Sequence, residues 1–339
     1  MKSFQPNERY SRLFAAAGKT KMVELKHLTL PNENRLFAKL EYQNPGGSHY
    51  DRVYLELFHS LEESGEITPG KTRVVETTTG NAGASLAWVA SQLGYECTVI
   101  IPADVAETRK RQIQDRGAQL LQSPPGEYVR GVIQYLKRYL VEHREEYDSG
   151  RLYCLNHSKN PLSIHAVANV ADEINDELLA NGLTSDVLIL GCGNGTTIMG
   201  IGGRLKTLSP DSQVIVFDPF EAPVAYERKY PGKFEKQYRV KPESQPHRHR
   251  ILGTGGWGVS FPHIEDPSFL EIVDEVFLVR EEVLIETQKL LALKEQLYPG
   301  RSSAAAVAVA LEKMKSVHGK NIVVVFYDEL NFYPEPEMF

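Results

Sequence analysis

The 339-residue chain has few cysteines and no long apolar segment. Its three cysteines, Cys97, Cys154 and Cys192, are too few and too scattered for a disulfide framework or a paired-cysteine metal site, so no metal is expected. No apolar run reaches the roughly 18 residues that a membrane-spanning helix needs. The amino terminus also lacks the apolar core of a secretion signal. We therefore expect a cytoplasmic protein with no membrane partner.

Positive charge is also in short supply. Lys and Arg number 38 against 44 Asp and Glu, which gives a formal net charge of −6 at pH 7. The only dense basic cluster is the short segment HRHR at 247–250. A chain with this charge balance is not expected to bind nucleic acid.

Short runs of consecutive apolar and β-branched residues are the strand candidates. Because these runs do not alternate with polar residues, they are typical of buried parallel strands. They are 72–76, 96–101, 118–122, 186–190, 213–217 and 321–326. Helical spacing predicts helices between them at 82–94, 128–143 and 303–319, the last capped by Gly319. Strands alternating with helices over this length predict an α/β fold of two doubly wound lobes.

The polar, irregular stretch 144–163 predicts a crossover between the lobes. We expect a smaller α/β domain over 45–155 and a larger one formed by 1–44 and 156–339. A second loop-rich region at about 219–262 is long enough to cover a cleft.

The loop NPGGSHYDR at 44–52 follows an apolar strand-like run. Pro-Gly-Gly is turn chemistry, and an amphipathic helix is predicted to begin near Asp51, whose charge suits a helix N-terminus. Residues 48–50 should then lie at the open end of that helix. A plain strand-to-helix turn is the alternative.

Three further loop regions have compositions that suit a ligand, and the third consists of two segments. ETTTGNAG at 76–83 and GCGNGTT at 191–197 each join a strand to a helix, where hydroxyls and glycine-freed amides suit a carboxylate or a phosphate. ILGTGGWGVSFP at 251–262 and PGRSS at 299–303 offer close backbone approach and serine hydroxyls. Helix caps without any ligand are the alternative for the threonines and serines.

Taken together and in this order, these loops resemble those of the cysteine-synthase family, the fold-type-II enzymes that use pyridoxal 5'-phosphate (PLP). The resemblance covers about residues 35–327. It implies two lobes with a ligand cleft between them, usually in a homodimer. It also implies β-elimination or β-replacement on serine- or cysteine-like amino acids, so the expected ligand is an amino acid or a phosphorylated small molecule.

In the family, the first loop carries the lysine that forms a Schiff base with PLP; here Tyr50 stands in its place. A phenol cannot form an imine, so PLP is expected only noncovalently, as a preformed external aldimine, or not at all. Tyr50 could exchange a proton if its surroundings lowered its ordinary pKa of about 10. His49 is a second candidate proton carrier, although a histidine in such a turn is more often solvated or capping.

The family's other motifs assign the remaining site residues. Thr78, Thr79, Gly80 and Ala82 resemble the loop that holds the substrate carboxylate, and Asn81 resembles the residue beside the ring hydroxyl of PLP. The phosphate loop resembles Gly193-Asn194-Gly195-Thr196-Thr197, altered but still rich in glycine and hydroxyls. Ser302 resembles the serine that bonds the pyridine nitrogen.

Two other lysines are candidates for the missing amine. Lys39 precedes the first loop at a position where family members also carry lysine, which favours a structural role. Lys159 lies at the predicted crossover. A catalytic group that is displaced by only about 1 Å can lose much of its effect, which argues against Lys39 and Lys159 as replacements.

Two alternatives to an enzyme of this family stay open. One is a catalytically silent relative that binds a ligand or a partner enzyme. The other is a methyltransferase that uses S-adenosylmethionine, because residues 186–195 resemble its first motif and Asp218 ends the next strand, although Ile189 stands where that motif has an acid.

Overall fold

The computed structural model describes residues 8–28, 32–245 and 249–330. The chain forms two compact units. The smaller unit contains the described residues up to Thr20 and Tyr42–Ala166. The larger unit contains Lys21–Glu41 and the described residues from Val167 onward.

Within the described residues, ten strands follow one another along the chain. They are β1 (Met22–Glu24), β2 (Arg35–Leu40), β3 (Arg73–Thr77), β4 (Cys97–Pro102), β5 (Gln119–Ser123), β6 (Leu152–Cys154), β7 (Val187–Gly191), β8 (Gln213–Pro219), β9 (Glu275–Val279) and β10 (Asn321–Phe326). All six predicted strands are present. The apolar run before the loop at 44–52 is β2. The sequence missed β1 and β6, which at three residues each are too short to show periodicity, and it also missed β9.

The α-helices of the described residues connect these strands. They are α1 (Glu8–Ala16), α2 (Tyr50–Glu63), α3 (Asn81–Leu93), α4 (Glu107–Gln114), α5 (Tyr128–Glu142), α6 (Arg144–Asp148), α7 (Leu162–Leu179), α8 (Gly203–Leu208), α9 (Val224–Lys229), α10 (Lys233–Tyr238), α11 (Pro262–Glu265), α12 (Ser268–Ile272), α13 (Glu282–Glu295) and α14 (Arg301–Met314). Short 3₁₀ turns span Lys26–Leu28, Glu41–Gln43 and Pro242–Ser244, and a π-helical turn spans Ile198–Gly202.

The sheet of the smaller unit has four parallel strands in the spatial order β5-β4-β3-β6. Its core packs α5 onto this sheet through Val75, Ile100, Val132, Tyr139 and Leu152. Because the strands are parallel, their carboxyl ends lie at one edge, where ligands bind in open α/β sheets.

The sheet of the larger unit has six strands in the order β1-β2-β10-β7-β8-β9. All its pairs are parallel except β1 with β2. Residues 322–326 of β10 are completely buried, as expected for a central strand covered on both faces.

The unit boundaries differ from those predicted. The first described helix belongs to the smaller unit and not to the larger, because Arg9 pairs with Glu62 at 2.6 Å and the Tyr10 ring meets His59 edge-on. The passage into the larger unit falls inside α7, after Ala166, and not within 144–163.

The predicted cap of the last helix is wrong. α14 ends at Met314, well before Gly319. The amide of Asn34 donates to the carbonyls of Met314, at 3.2 Å, and Val317, at 2.8 Å, and so satisfies the acceptors that a helix end leaves open.

The loop-rich stretch 219–262 contains α9 and α10; its residues 246–248, and with them half of the basic cluster 247–250, lie outside the described residues.

Candidate functional site

The loop before α2 is held rigidly by its own residues. Gly47 has φ +94°, and its N–H donates to the carbonyl of Asn44 at 2.8 Å. A Cβ on Gly46 would overlap the carboxylate of Asp51, which accepts the Gly46 N–H. Arg116 donates to the carbonyl of Gly46 at 3.1 Å. These contacts explain why glycines precede the helix, and they fix the direction of residues 48–50.

Tyr50 is the first residue of α2, one position earlier than the predicted start at Asp51. Its N–H donates to the hydroxyl of Ser48 at 3.3 Å, and that hydroxyl also meets the hydroxyl of Ser85, at 3.0 Å. His49 is the N-cap residue but makes no side-chain capping bond; it is buried, and its ring lies 4.2 Å from the Tyr50 ring, centroid to centroid. His49 is therefore neither solvated nor capping.

A second histidine lies on the other side of Tyr50. The rings of Tyr50 and His157 are perpendicular, with centroids 5.4 Å apart. Nδ1 of His157 lies 2.9 Å from Oε2 of Glu76 and 3.1 Å from the hydroxyl of Tyr54. Burial raises the pKa of the Tyr54 phenol well above its ordinary value, and the nearby charge of Glu76 raises it further. Sequence reasoning did not single out His157, which lies within the polar stretch 144–163, or Glu76, which ends the predicted strand 72–76.

The threonine loop after β3 is closed on itself at the N-terminus of α3. The hydroxyl of Thr78 accepts the Gly80 N–H at 3.0 Å, and Gly80 is the N-cap residue of α3, which begins at Asn81. Thr78 and Ala82 are buried, and Thr79, Gly80 and Asn81 are half-buried.

An arginine lies against the same loop. A Cβ on Gly80 would lie 2.1 Å from Nη1 of Arg109, so the guanidinium lies directly against the backbone of this glycine. Arg109 is nearly buried and comes from α4. Its charge adds to the positive end of α3, and both favour an anion at this loop. Sequence reasoning missed Arg109, which lies in a basic stretch that reads as an exposed helix.

The glycine loop after β7, in the larger unit, packs against the backbone of the 251–258 loop. A Cβ on Gly193 would lie 2.3 Å from the carbonyl oxygen of Gly253, and the Gly255 N–H donates to the carbonyl of Cys192 at 2.8 Å. Gly195 has φ +91°, a conformation that favours glycine. The glycines at 251–258 therefore allow close packing of these two loops, and a ligand role for 251–262 stays a prediction.

Thr196 carries the most informative hydroxyl of this loop. Its N–H donates to Oδ1 of Asn194 at 3.0 Å, which closes an Asx turn. Its Oγ1 is buried and has no hydrogen-bond partner among the described residues. Buried hydroxyls are normally bonded, so this one fits a ligand oxygen such as that of a phosphate. Thr197 follows half-buried at the start of the π-helical turn.

Ser302 lies inside α14 and does not cap it. The N-cap residue is Gly300, and Ser302 and Ser303 occupy the first turn. The hydroxyl of Ser303 accepts the Tyr327 N–H at 3.0 Å, which makes Ser303 structural. Ser302, nearly buried beside it, keeps the position that the resemblance assigns to the ring-nitrogen partner.

The structure shows the surroundings of the two candidate substitute lysines. The Lys39 ammonium is fully buried in the larger unit, 2.9 Å from both Glu173 and Glu177. Lys159 is exposed. Lys39 is held as an ion-pair residue, and a buried pair of this kind resists removal of the cation.

Cysteine and metal chemistry gain no support from the geometry. The three cysteines are free, and burial raises the pKa of the Cys192 thiol well above its ordinary value, so it does not supply a thiolate. The described residues contain no cluster of metal-ligating side chains. No helix among them is long and apolar enough to span a bilayer.

The methyltransferase alternative needs Asp218 to hold the ribose of S-adenosylmethionine. Asp218 is completely buried and accepts the Tyr226 N–H at 2.9 Å, so it is not placed to hold a ribose.

These features define an α/β protein with loops rich in glycine and threonine after parallel strands. Residues 13–328 match the family described as pyridoxal-phosphate dependent enzymes. The chain belongs to that family. It is 31% identical over 311 residues to cysteine synthase of Staphylococcus aureus, covering 91% of this chain and 90% of the relative.

Other relatives agree with this assignment. The chain is 28% identical over 324 residues to the O-acetylserine dependent cystathionine beta-synthase of Bacillus subtilis, covering 95% of each. The solved structure of the Helicobacter pylori enzyme of that name matches with a TM-score of 0.80 and 26% identity, covering 96% of this chain and 98% of the other. The expected two-lobed α/β fold of the fold-type-II enzymes is confirmed.

The residues fit PLP in part. Thr196 and the two glycines of its loop suit a phosphate, and the helix end with Arg109 suits a carboxylate. The position to which the family resemblance assigns the covalent anchor holds Tyr50, whose phenol cannot form an imine.

Proposed function

We propose that this protein is a cysteine-synthase-like member of its family that binds PLP noncovalently, or takes it already joined to an amino acid. The observation that carries the proposal is Tyr50 at the first residue of α2, where the family motif has its lysine, in a chain whose loops at 76–83 and 191–197 keep the composition of anion-binding loops. A conventional lysine-based β-replacement is then unavailable.

The family motifs in each unit indicate which residues of that unit would contact PLP or the amino acid. In the larger unit, Gly193, Asn194, Gly195, Thr196 and Thr197 would hold the phosphate, with the Thr196 hydroxyl as a donor. Ser302 would meet the ring nitrogen.

In the smaller unit, Asn81 would lie beside the ring hydroxyl, and Thr78, Thr79, Gly80 and Ala82 would bind the carboxylate of the amino acid. Arg109 supplies positive charge against the Gly80 backbone. When bound, PLP withdraws electrons from the α-carbon of the amino acid to which it is joined. The name of one relative, an O-acetylserine dependent cystathionine beta-synthase, supports a serine-derived amino acid as the ligand class. The homodimer is proposed from the family resemblance alone.

The test is a PLP titration of the wild type, Tyr50→Lys and Tyr50→Phe. We expect all three proteins to bind PLP. Dialysis should remove PLP from the wild type and from Tyr50→Phe. Tyr50→Lys should gain the yellow absorbance of an imine and keep the cofactor after borohydride reduction, because it restores the amine at this position. If the wild type shows no saturable PLP binding, either with or without an amino acid, the proposal is contradicted and the catalytically silent relative is favoured.

A further inference from the structure

The strongest feature that the proposed function does not use is a buried pair of acid and base beside Tyr50. Glu76 is 1% exposed and His157 is 7% exposed. Oε2 of Glu76 accepts the backbone N–H of His157 at 2.8 Å and lies 2.9 Å from its Nδ1, and Oε1 accepts the backbone N–H of Thr77 at 2.8 Å. Both carboxylate oxygens of Glu76 therefore accept hydrogen bonds, and the side chain is fixed beside the His157 ring.

The pair determines which nitrogen of His157 handles protons. Because a carboxylate only accepts, the hydrogen of the ring is assigned to Nδ1. Both side-chain contacts of the imidazole, with Glu76 and Tyr54, are made by Nδ1. Nε2, on the far side of the ring, is therefore the nitrogen that can take up and release a proton. The same arrangement of acid, imidazole and reacting group orients general bases elsewhere.

The backbone also holds His157 in place. Asn156 has φ +50°, a left-handed conformation that asparagine tolerates, and its carbonyl accepts the N–H groups of Lys159 and Asn160. The hydroxyl of Ser163 donates to the carbonyl of His157 at 2.7 Å. These contacts fix the backbone of His157, while Glu76 and Tyr54 contact its imidazole.

Chemical matching favours His157 over Tyr50 as the proton acceptor. A phenol with an ordinary pKa of about 10 is about 0.1% ionised at pH 7, whereas a free imidazole titrates near neutrality. The groups facing the His157 ring are Glu76 from β3 and Tyr50 and Tyr54 from α2. Cys154 of β6 lies within the field of Glu76, and Lys159 of the same loop is exposed.

We propose that His157, oriented by Glu76, is the general base that removes the α-proton in place of the missing lysine, while Tyr50 fills the lysine's space and packs against it. The bond between the α-carbon and its hydrogen breaks, its electron pair stays on the amino acid and its cofactor, and the proton goes to Nε2. Return of a proton from Nε2 closes the cycle. Glu76 is a positioning residue. This inference rests on the proposed function.

The proton step is tested with PLP and L-alanine in D₂O, because alanine has no leaving group on its β-carbon. Exchange of the α-proton is followed by NMR against PLP and alanine without protein, and PLP binding is measured in the same samples. We expect the wild type to exceed the protein-free rate and His157→Gln to lose about 10²-fold of that rate with PLP binding intact. Tyr50→Phe keeps the ring but removes the phenol, and it tests the competing assignment of the proton to Tyr50. Lys159→Met changes an exposed residue of the same loop, serves as the control and should stay within about threefold of the wild type.

Glu76 is tested by a readout that a purely structural role would not move. Glu76→Gln keeps the shape but removes the charge that holds the imidazolium, so the acidic limb of the exchange profile should move to lower pH. In the unloaded protein, ¹⁵N shifts of labelled histidine, assigned with His157→Gln, should show Nδ1–H in the wild type and a shift toward Nε2–H in Glu76→Gln.

The outcomes separate the two proposals. Wild-type exchange at the protein-free rate, or His157→Gln with unchanged exchange, in protein that binds PLP would overturn the role of His157 and leave the proposed function standing. Loss of exchange in Tyr50→Phe equal to that in His157→Gln would assign the proton to the phenol. A wild type that binds no PLP would overturn both.

Discussion

Thr196 carries a hydroxyl that its loop buries without a partner among the described residues. The sequence could place this threonine in a glycine-rich turn but could not show which of its atoms is bonded within the protein. That distinction requires the Asx turn, in which Asn194 takes the N–H and leaves Oγ1 for a ligand.

Thr196→Val is therefore expected to separate binding from stability. Valine keeps the shape, and no hydrogen bond seen within the described residues is lost, so the free energy of unfolding should change by less than about 0.5 kcal/mol. A hydrogen bond to a charged oxygen contributes about 1.5–3 kcal/mol, so the affinity for PLP should fall about tenfold or more. Urea unfolding and PLP titration measure the two quantities, with exposed Thr207→Val as the control. Unchanged affinity would remove Thr196 from the phosphate site.

Asp218 predicts a pH dependence of stability. Burial raises its pKa to about 8, against the lowering effect of the Tyr226 and Ala225 N–H groups. In the unfolded chain the same carboxyl ionises near 3.9. Between these values the folded protein holds a proton that the unfolded chain releases, so this group favours unfolding by about 1.4 kcal/mol for each unit of rising pH.

Asp218→Asn should flatten that slope, because asparagine keeps an acceptor for Tyr226 but does not ionise. Urea unfolding at pH 5, 6, 7 and 8 should show the wild type losing stability relative to the variant as the pH rises toward 8. Exposed Asp211→Asn serves as the control and should follow the wild type. Parallel curves for the wild type and Asp218→Asn would contradict the raised pKa.

At the scale of elements, β2 and α7 are joined through Lys39. Its ammonium contacts Glu173 and Glu177, four residues apart on α7, so one buried cation neutralises two acids on one helix face. The sequence showed an isolated lysine in an apolar strand, and only the packing of α7 shows why it is charged and buried.

Lys39→Met should cost about 3 kcal/mol of unfolding free energy, because it leaves two carboxylates without their cation. PLP affinity should be unchanged, since Lys39 is not the anchor. Exposed Lys159→Met is the matched control and should change neither quantity. A Lys39→Met protein that is stable but no longer binds PLP would instead identify Lys39 as a relocated anchor.

The end of α14 shows the limit of sequence reasoning for elements. Gly319 has the composition of a cap and a positive φ, but the helix stops at Met314 because Asn34, distant in sequence, satisfies its last carbonyls. A rule based on neighbours along the chain cannot include such a partner. The buried parallel strands were predictable because their apolar runs are local signals.

At the scale of the whole molecule, two doubly wound units follow from the alternation of strands and helices, and the four loops follow from the turns between them. The boundaries did not follow, because α1 is assigned by its contacts with Glu62 and His59 and not by its place in the chain. The pair Glu76–His157 was equally hidden, since it joins residues 81 positions apart.

The central claim is that the polypeptide has no covalent link to the cofactor. The direct measurement is borohydride reduction of the wild type saturated with PLP, followed by denaturation and peptide mass mapping. We expect every peptide, including those with Tyr50, Lys39 and Lys159, at its unmodified mass. A stoichiometric pyridoxyl adduct on any lysine would contradict the account.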